Sequence, residues 1–292
     1  MSFAGTHTAL VTPFREGKFD SVAFRKLIED QIAGGITGIV PVGTTGESPT
    51  LDEDEHFEVI RSAVEAAHGR CQVMAGTGSN ATSEAISLTV EAERLGADSA
   101  LLVAPYYNKP TQEGLYRHFR AISESVKIPI VLYSIPGRCG IEIGVDTVAR
   151  LASDCPNIQA IKEAGGSVER VNQLRAALPA EFEILSGDDS LTLPFLSVGA
   201  VGVISVASNL IPSEVSQMVR LWLAGDAAGA LALHARYYQL FKDIFIEPNP
   251  VPIKFALSLK GGMSPEVRLP LCEMTESSKA ILRKTLVSLS LP

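Results

Sequence analysis

The chain has 292 residues, 46% of them hydrophobic and 20% charged, with a formal net charge of −8. Such a length and apolar content support a large core and exclude intrinsic disorder. An acidic balance without basic blocks argues against nucleic acid as a partner, and no apolar run approaches the ~18 residues that cross a bilayer. The first residues, MSFAGTHTAL, lack the charged-then-apolar pattern of a secretory signal, so a cytoplasmic location is expected.

Short β-branched runs alternate with stretches of helical period. In chain order the expected strands are 7–12, 38–42, 72–75, 100–104, 130–133, 159–162, 183–185 and 202–206. Between them, stretches such as 21–33, 53–67, 83–95 and 112–126 are long enough for three or four helical turns. Nearly continuous apolar strands separated by helices point to a parallel sheet covered on both faces. Eight such units suit a closed barrel better than an open doubly wound sheet, which often carries a glycine-rich phosphate turn. The alternation stops near Ala224; a helix over 226–245, the EPNPVP break at 247–252, and helices over 253–259 and 276–289 follow. The expected fold is therefore α/β: a (β/α)8 TIM barrel over 1–224 with a small C-terminal helical domain over 225–292.

Cys71, Cys139, Cys155 and Cys272 form no C-x-x-C pair, and the five histidines show no metal-binding spacing. Neither nucleotide fingerprint occurs, so no metal and no cofactor is expected. In an (β/α)8 barrel, chemistry gathers at the C-terminal ends of the strands. There this chain places Gly43-Thr44-Thr45-Gly46-Glu47, Pro105-Tyr106-Tyr107-Asn108, Tyr133 through Arg138, and Ile161-Lys162-Glu163. Ser186-Gly187-Asp188-Asp189 and Gly202-Val203-Ile204-Ser205 complete the set.

Lys162 closes an apolar run, so its amine should enter the barrel mouth. An ordinary lysine, with a pKa of about 10.4, keeps only about one amine in a thousand neutral near pH 7.4. Desolvation lowers that pKa and makes the amine a nucleophile for a carbonyl. The competing reading pairs Lys162 with Glu163 or a neighbouring carboxylate. Thr44 and Thr45 either hold a small carboxylate or cap the next helix. Arg138 either receives a substrate carboxylate or makes a surface ion pair. Tyr133, Tyr106 and Tyr107 either pack or move protons. Taken jointly, these groups describe Schiff-base chemistry on a 2-oxo acid.

These motifs, with Glu247-Pro248-Asn249-Pro250, resemble the dihydrodipicolinate synthase and N-acetylneuraminate lyase superfamily over essentially the whole chain. The resemblance is to the dihydrodipicolinate synthases within it. It implies a class I (Schiff-base) lyase that condenses pyruvate with L-aspartate 4-semialdehyde on the route to diaminopimelate and lysine. Lys162 would form the imine, and Thr44, Tyr133 and Tyr107 would form a proton relay, with Tyr107 supplied by a neighbouring subunit. Thr45, Arg138, Gly187 and Ile204 would bind substrate. A homodimer or homotetramer follows from that sharing. Arg138 weighs against the alternative, a related aldolase acting on a 2-oxo sugar acid; a non-catalytic barrel that binds a 2-oxo acid is the rival from another class. Ser134 and Cys139 stand where the family usually has asparagine and threonine. The family's lysine feedback site is matched by Ser48, His56, Asn80, Glu84 and Tyr106, with Pro49 and Glu53 departing from its pattern.

Overall fold

All eight expected strands are present in the computed structural model, which describes residues 1–291. They are β1 (Gly5–Ala9), β2 (Gly38–Val40), β3 (Gln72–Gly76), β4 (Ser99–Val103), β5 (Ile130–Ser134), β6 (Ile158–Glu163), β7 (Glu183–Ser186) and β8 (Gly202–Ser205). Each pairs in parallel with its sequence neighbours, and β8 returns to β1, closing a (β/α)8 TIM barrel. One helix follows each strand: α1 (Ser21–Ala33), α2 (Glu53–Ala67), α3 (Thr82–Arg94), α4 (Gln112–Ser123), α5 (Val145–Asp154), α6 (Val168–Ala177), α7 (Thr192–Leu196) and α8 (Pro212–Leu223). Side-chain caps start several of them. Asp20, Asp52, Thr111 and Ser167 each accept a bond from a backbone N–H of the first turn.

The first strand begins two residues before its expected start and ends three residues early. Gly5 lies opposite Gly202 in the β1–β8 register. A Cβ at Gly202 would fall 2.1 Å from the Gly5 carbonyl oxygen, so the closing seam requires glycine. Glycine carries no strand signal, which is why the apolar pattern alone starts the strand late. Beyond Ala9 the ladder gives way to a side chain: the Val11 N–H donates to Asn209 Oδ1 at 3.2 Å.

Alternation along the strands sorts side chains between two apolar regions. In β5, Ile130 and Leu132 face the helices, whereas Val131 and Tyr133 face the barrel axis. In β6, Ala160 faces the axis and Ile161 the helices. The same period sends Lys162 inward and Glu163 outward. Phe3, Met74, Leu101, Leu185 and Ile204 fill the rest of the axis, so the barrel is packed below the level of Lys162.

After α8 the chain forms α9 (Ala227–Asp243), α10 (Val251–Lys260) and α11 (Glu276–Ser288). No helix among the described residues is long and apolar enough to cross a membrane. This C-terminal segment reaches back to the barrel mouth through a buried ion pair. Lys254 Nζ donates to Glu47 Oε1 at 2.5 Å, with the two side chains 0% and 1% exposed. The Arg268 backbone N–H donates to the second oxygen of Glu47 at 3.1 Å. Arg268 itself grips Glu55 with two bonds of 2.6 Å and Thr50 carbonyl with one of 2.8 Å. Removing one member of a buried pair strands the other charge. Lys254→Ala should therefore cost about 3–5 kcal/mol, read as a lower urea midpoint, and Glu47→Gln/Lys254→Met should recover much of that loss.

Candidate active site

The turn after β2 brings hydroxyls to the barrel mouth under backbone constraint. Val42 has φ of 50° and Glu47 of 56°, left-handed values rare for any residue but glycine and most costly for a β-branched one. Close packing holds them there. A Cβ on Gly46 would lie 2.9 Å from the Val42 nitrogen, and one on Gly76 2.6 Å from the Val42 carbonyl oxygen. Thr12 Oγ1 donates to the Gly46 carbonyl at 2.7 Å. Between these anchors, the backbone N–H groups of Thr44 and Thr45 donate to no protein acceptor among the described residues. They are free for an anion.

Lys162 stands across the cavity, 6% exposed. Its ammonium carbon chain passes the space left by Gly187, whose missing Cβ would lie 3.1 Å from Lys162 Cε. The amine sits 4.2 Å from the centre of the Tyr133 ring. Burial drives the Lys162 pKa from 10.5 down to about 7; Asp189 opposes this fall and Arg138 adds to it. Glu163 does not pair with Lys162. Its carboxylate points outward, accepting from Arg170 Nε at 2.8 Å and from the Gly165 N–H at 2.6 Å. Arg170 also holds Glu142 at 3.0 Å, so that charge is satisfied away from the cavity.

Tyr133 is 6% exposed and shares the cavity wall with Thr44. Burial raises the phenol to about 12, against the pull of Arg138 and Thr44. Tyr133 therefore stays protonated and can donate or relay a proton through Thr44. Arg138 follows β5 on a short helical turn, Pro136–Cys139, and its Nη2 reaches the Asn249 carbonyl at 3.4 Å. Asn249 Nδ2 donates to Thr45 Oγ1 at 2.9 Å, leaving its buried Oδ1 without a partner. Thr44, Thr45, Tyr133, Arg138, Lys162 and Gly187 thus line one cavity, with Val206, Phe245 and Asn249 closing it.

Two expected residues lie elsewhere. Ile204 is 1% exposed and packs in the axial core with Tyr133, while Val206, two residues on, lines the cavity. Tyr107 has φ of 71° and is 90% exposed, outside the cavity of its own chain. Ser48, His56, Glu84 and Tyr106 line a separate cleft of about 530 Å³ between the loops that follow β2 and β3, with Tyr106 reaching in from the loop after β4. Asn80 lies beside that cleft, its Nδ2 donating to the Tyr106 carbonyl at 3.2 Å. Asn249 and Asp189 were not expected as site residues. Asp189 belonged to a quoted strand-end motif, but nothing in its local pattern marks it as the buried member of the Asp188-Asp189 pair.

A model of the dihydrodipicolinate synthetase family matches residues 2–289. The chain belongs to that family. A 4-hydroxy-tetrahydrodipicolinate synthase from Endomicrobium trichonymphae is 51% identical over 284 residues, 97% of each chain. The solved 4-hydroxy-tetrahydrodipicolinate synthase of the thermoacidophilic methanotroph Methylacidiphilum fumariolicum SolV is 56% identical, with a TM-score of 0.98 over 99% of this chain and 96% of that one. A dihydrodipicolinate synthase of Cyanidioschyzon merolae, solved with lysine bound, is 43% identical, with a TM-score of 0.96 over 99% of each chain.

The site makes one prediction independent of substrate. After reductive ¹³C-methylation, dimethylated Lys162 should titrate near pH 7 by NMR, charged below and neutral above. A Lys162 signal that titrated with the surface lysines near 10 would contradict desolvation as the source of its reactivity.

Proposed function

We propose that this chain is a class I lyase that condenses pyruvate with L-aspartate 4-semialdehyde through an imine on Lys162. The observation that carries the reading is a buried lysine, its pKa lowered by burial to about 7, which shares a small cavity with free N–H donors. Pyruvate's carboxylate would take the N–H groups of Thr44 and Thr45 and the Thr45 hydroxyl, presenting C2 to Lys162. Attack by Nζ on C2 gives a carbinolamine, and loss of water gives the protonated imine. Removal of a C3 proton moves that electron pair toward nitrogen and forms an enamine, whose C3 then bonds to the aldehyde carbon. The new alkoxide takes a proton, and the semialdehyde's own amine adds to C2, closing a ring as the Lys162 amine leaves with the proton it needs.

Tyr133 and Thr44 are the relay for these protons in our reading. Tyr107 completes it from a second copy of the chain, consistent with its 90% exposure on a strained loop. A homodimer or homotetramer acting in the cytoplasm belongs to the same reading. Arg138 would receive the semialdehyde's carboxylate, and Gly187 and Val206 would bound the pocket. A sugar-acid aldolase has less use for a guanidinium at this mouth. Borohydride added with pyruvate should fix a reduced pyruvyl adduct on Lys162 by peptide mapping, and that complex should consume L-aspartate 4-semialdehyde before reduction. Active turnover without an adduct would sink the mechanism.

The second cleft favours a regulatory reading beside this one. Glu84, held by a 2.6 Å bond from Ser79 Oγ, would meet the ammonium of L-lysine. Asn80 and Tyr106 would meet its carboxylate, and Ser48 and His56 line the remaining wall. Burial lowers His56 to about 4, so it would contact the ligand as a neutral ring. Millimolar L-lysine should slow turnover and release heat in calorimetry, and Glu84→Ala should remove both effects. An unchanged rate at that concentration would reject the feedback site.

A further inference from the structure

The burial that makes Lys162 nucleophilic creates a difficulty one step later. An imine nitrogen is less basic than the amine it came from, yet it must be protonated to draw electrons from C3. The same dry environment that strips the ammonium of its proton also disfavours the protonated imine. Arg138, on the cavity wall, adds a second positive charge. Among the described residues, no carboxylate lines the cavity. Glu163 is turned away and neutralised by Arg170.

Asp189 lies just behind this wall, 2% exposed, in the loop that follows β7. Its Oδ1 accepts from Ser205 Oγ at 2.5 Å, and its Oδ2 from the Val206 and Ala207 N–H groups at 2.9 and 3.1 Å. Burial raises the Asp189 pKa to about 6, while the three donors oppose that rise and fix the position of the carboxylate. They also tie the loop after β7 to the end of β8, and Val206 and Gly187 line the cavity with Lys162. The charged or titratable groups around the Lys162 amine are Tyr133 and Arg138 from the β5 side, Asp189 with Asp188 from the β7 side, and Glu163 on its own strand.

We propose that Asp189 is the counter-charge of the protonated imine, a carboxylate locked by Ser205 and the β8 backbone that keeps the nitrogen positive while the C3 proton leaves. This rests on the pyruvate imine proposed above. The residue acts through Lys162 and the imine rather than by touching the reacting atoms. Without the negative charge, the Lys162 amine would become neutral at still lower pH, and the enamine step would lose its electron sink.

The step can be isolated without any aldehyde, by following exchange of the pyruvate methyl protons in D₂O by NMR. Wild-type protein should catalyse the exchange. In Asp189→Asn, exchange should fall at least about tenfold, and the methylated Lys162 should titrate about one pH unit lower. Loss of exchange with an unmoved Lys162 titration would mean that Asp189 only supports the fold, and would overturn the proposal. Ser205→Ala gives an independent reading should that variant not fold. It keeps the charge but removes one donor, so the carboxylate should protonate at a higher pH than its present value of about 6. The acid limb of exchange should then move upward with the plateau at higher pH preserved, whereas an unmoved limb overturns the counter-charge role. Failure of the wild-type protein to exchange pyruvate protons would instead count against the pyruvate reading itself.

Discussion

Placing an amine on the axial face of β6 is the constraint on which the rest of the site depends. In water a lysine holds its proton up to about 10.4; in this barrel it does so only up to about 7. Between those values the unfolded chain binds a proton that the folded chain does not, so folding must release one. The destabilisation therefore grows as pH falls from about 10.5 toward 7 and is complete below the folded value. When complete it is on the order of 5 kcal/mol. A surface lysine near a carboxylate would avoid that cost and lose the chemistry. The packed axial layer of Met74, Leu101, Leu185 and Ile204 supplies both the dry environment and the burial that offsets it.

A buried nucleophile needs an equally fixed place for its partner, and here the C-terminal segment supplies it. The Thr44–Thr45 turn hangs on strained residues at Val42 and Glu47 and would relax if released. Lys254 neutralises Glu47, the Arg268 N–H takes its second oxygen, and Asn249 steadies the Thr45 hydroxyl. Three of the groups that shape the anion-binding turn thus come from beyond residue 245. The helices that follow the barrel are part of how the site is held, although none of them carries the nucleophile.

Much of this was legible in the sequence because it follows from period and position. Alternation of apolar and other residues along β6 puts Lys162 on the axial face, and the apolar run before it foretells burial. The eight strand–helix units follow from the same reasoning. What was not legible depends on contacts between segments far apart in the chain. The early start of β1 is set by glycine meeting glycine across the barrel seam, and glycine has no pattern of its own. Asp188 and Asp189 are identical in type and adjacent, yet only the second reaches Ser205 and the β8 backbone. Ile204 and Val206 are two positions apart at one strand end, yet the first packs in the axial core and the second, just beyond the strand, meets the cavity.

Two carboxylates, Glu163 and Asp189, show how the fold divides electrostatic tasks. Glu163 is the immediate neighbour, but strand alternation turns it through the barrel wall, where Arg170 neutralises it. Its outward bonds stiffen the loop at Gly165 without raising the basicity of the amine. Asp189 is 27 positions further along, and chain closure at β7 and β8 brings its charge back toward the nitrogen. Had Glu163 faced inward, a mobile carboxylate beside the amine would have held Lys162 protonated and unreactive. A carboxylate one layer back, saturated by three donors, is too constrained to form a contact ion pair with the resting amine. It still contributes to the potential that a cationic intermediate feels, because a dry, rigid wall screens that potential weakly. Distance and immobility, rather than the mere presence of a negative charge, reconcile a neutral nucleophile with a positive imine on the same nitrogen.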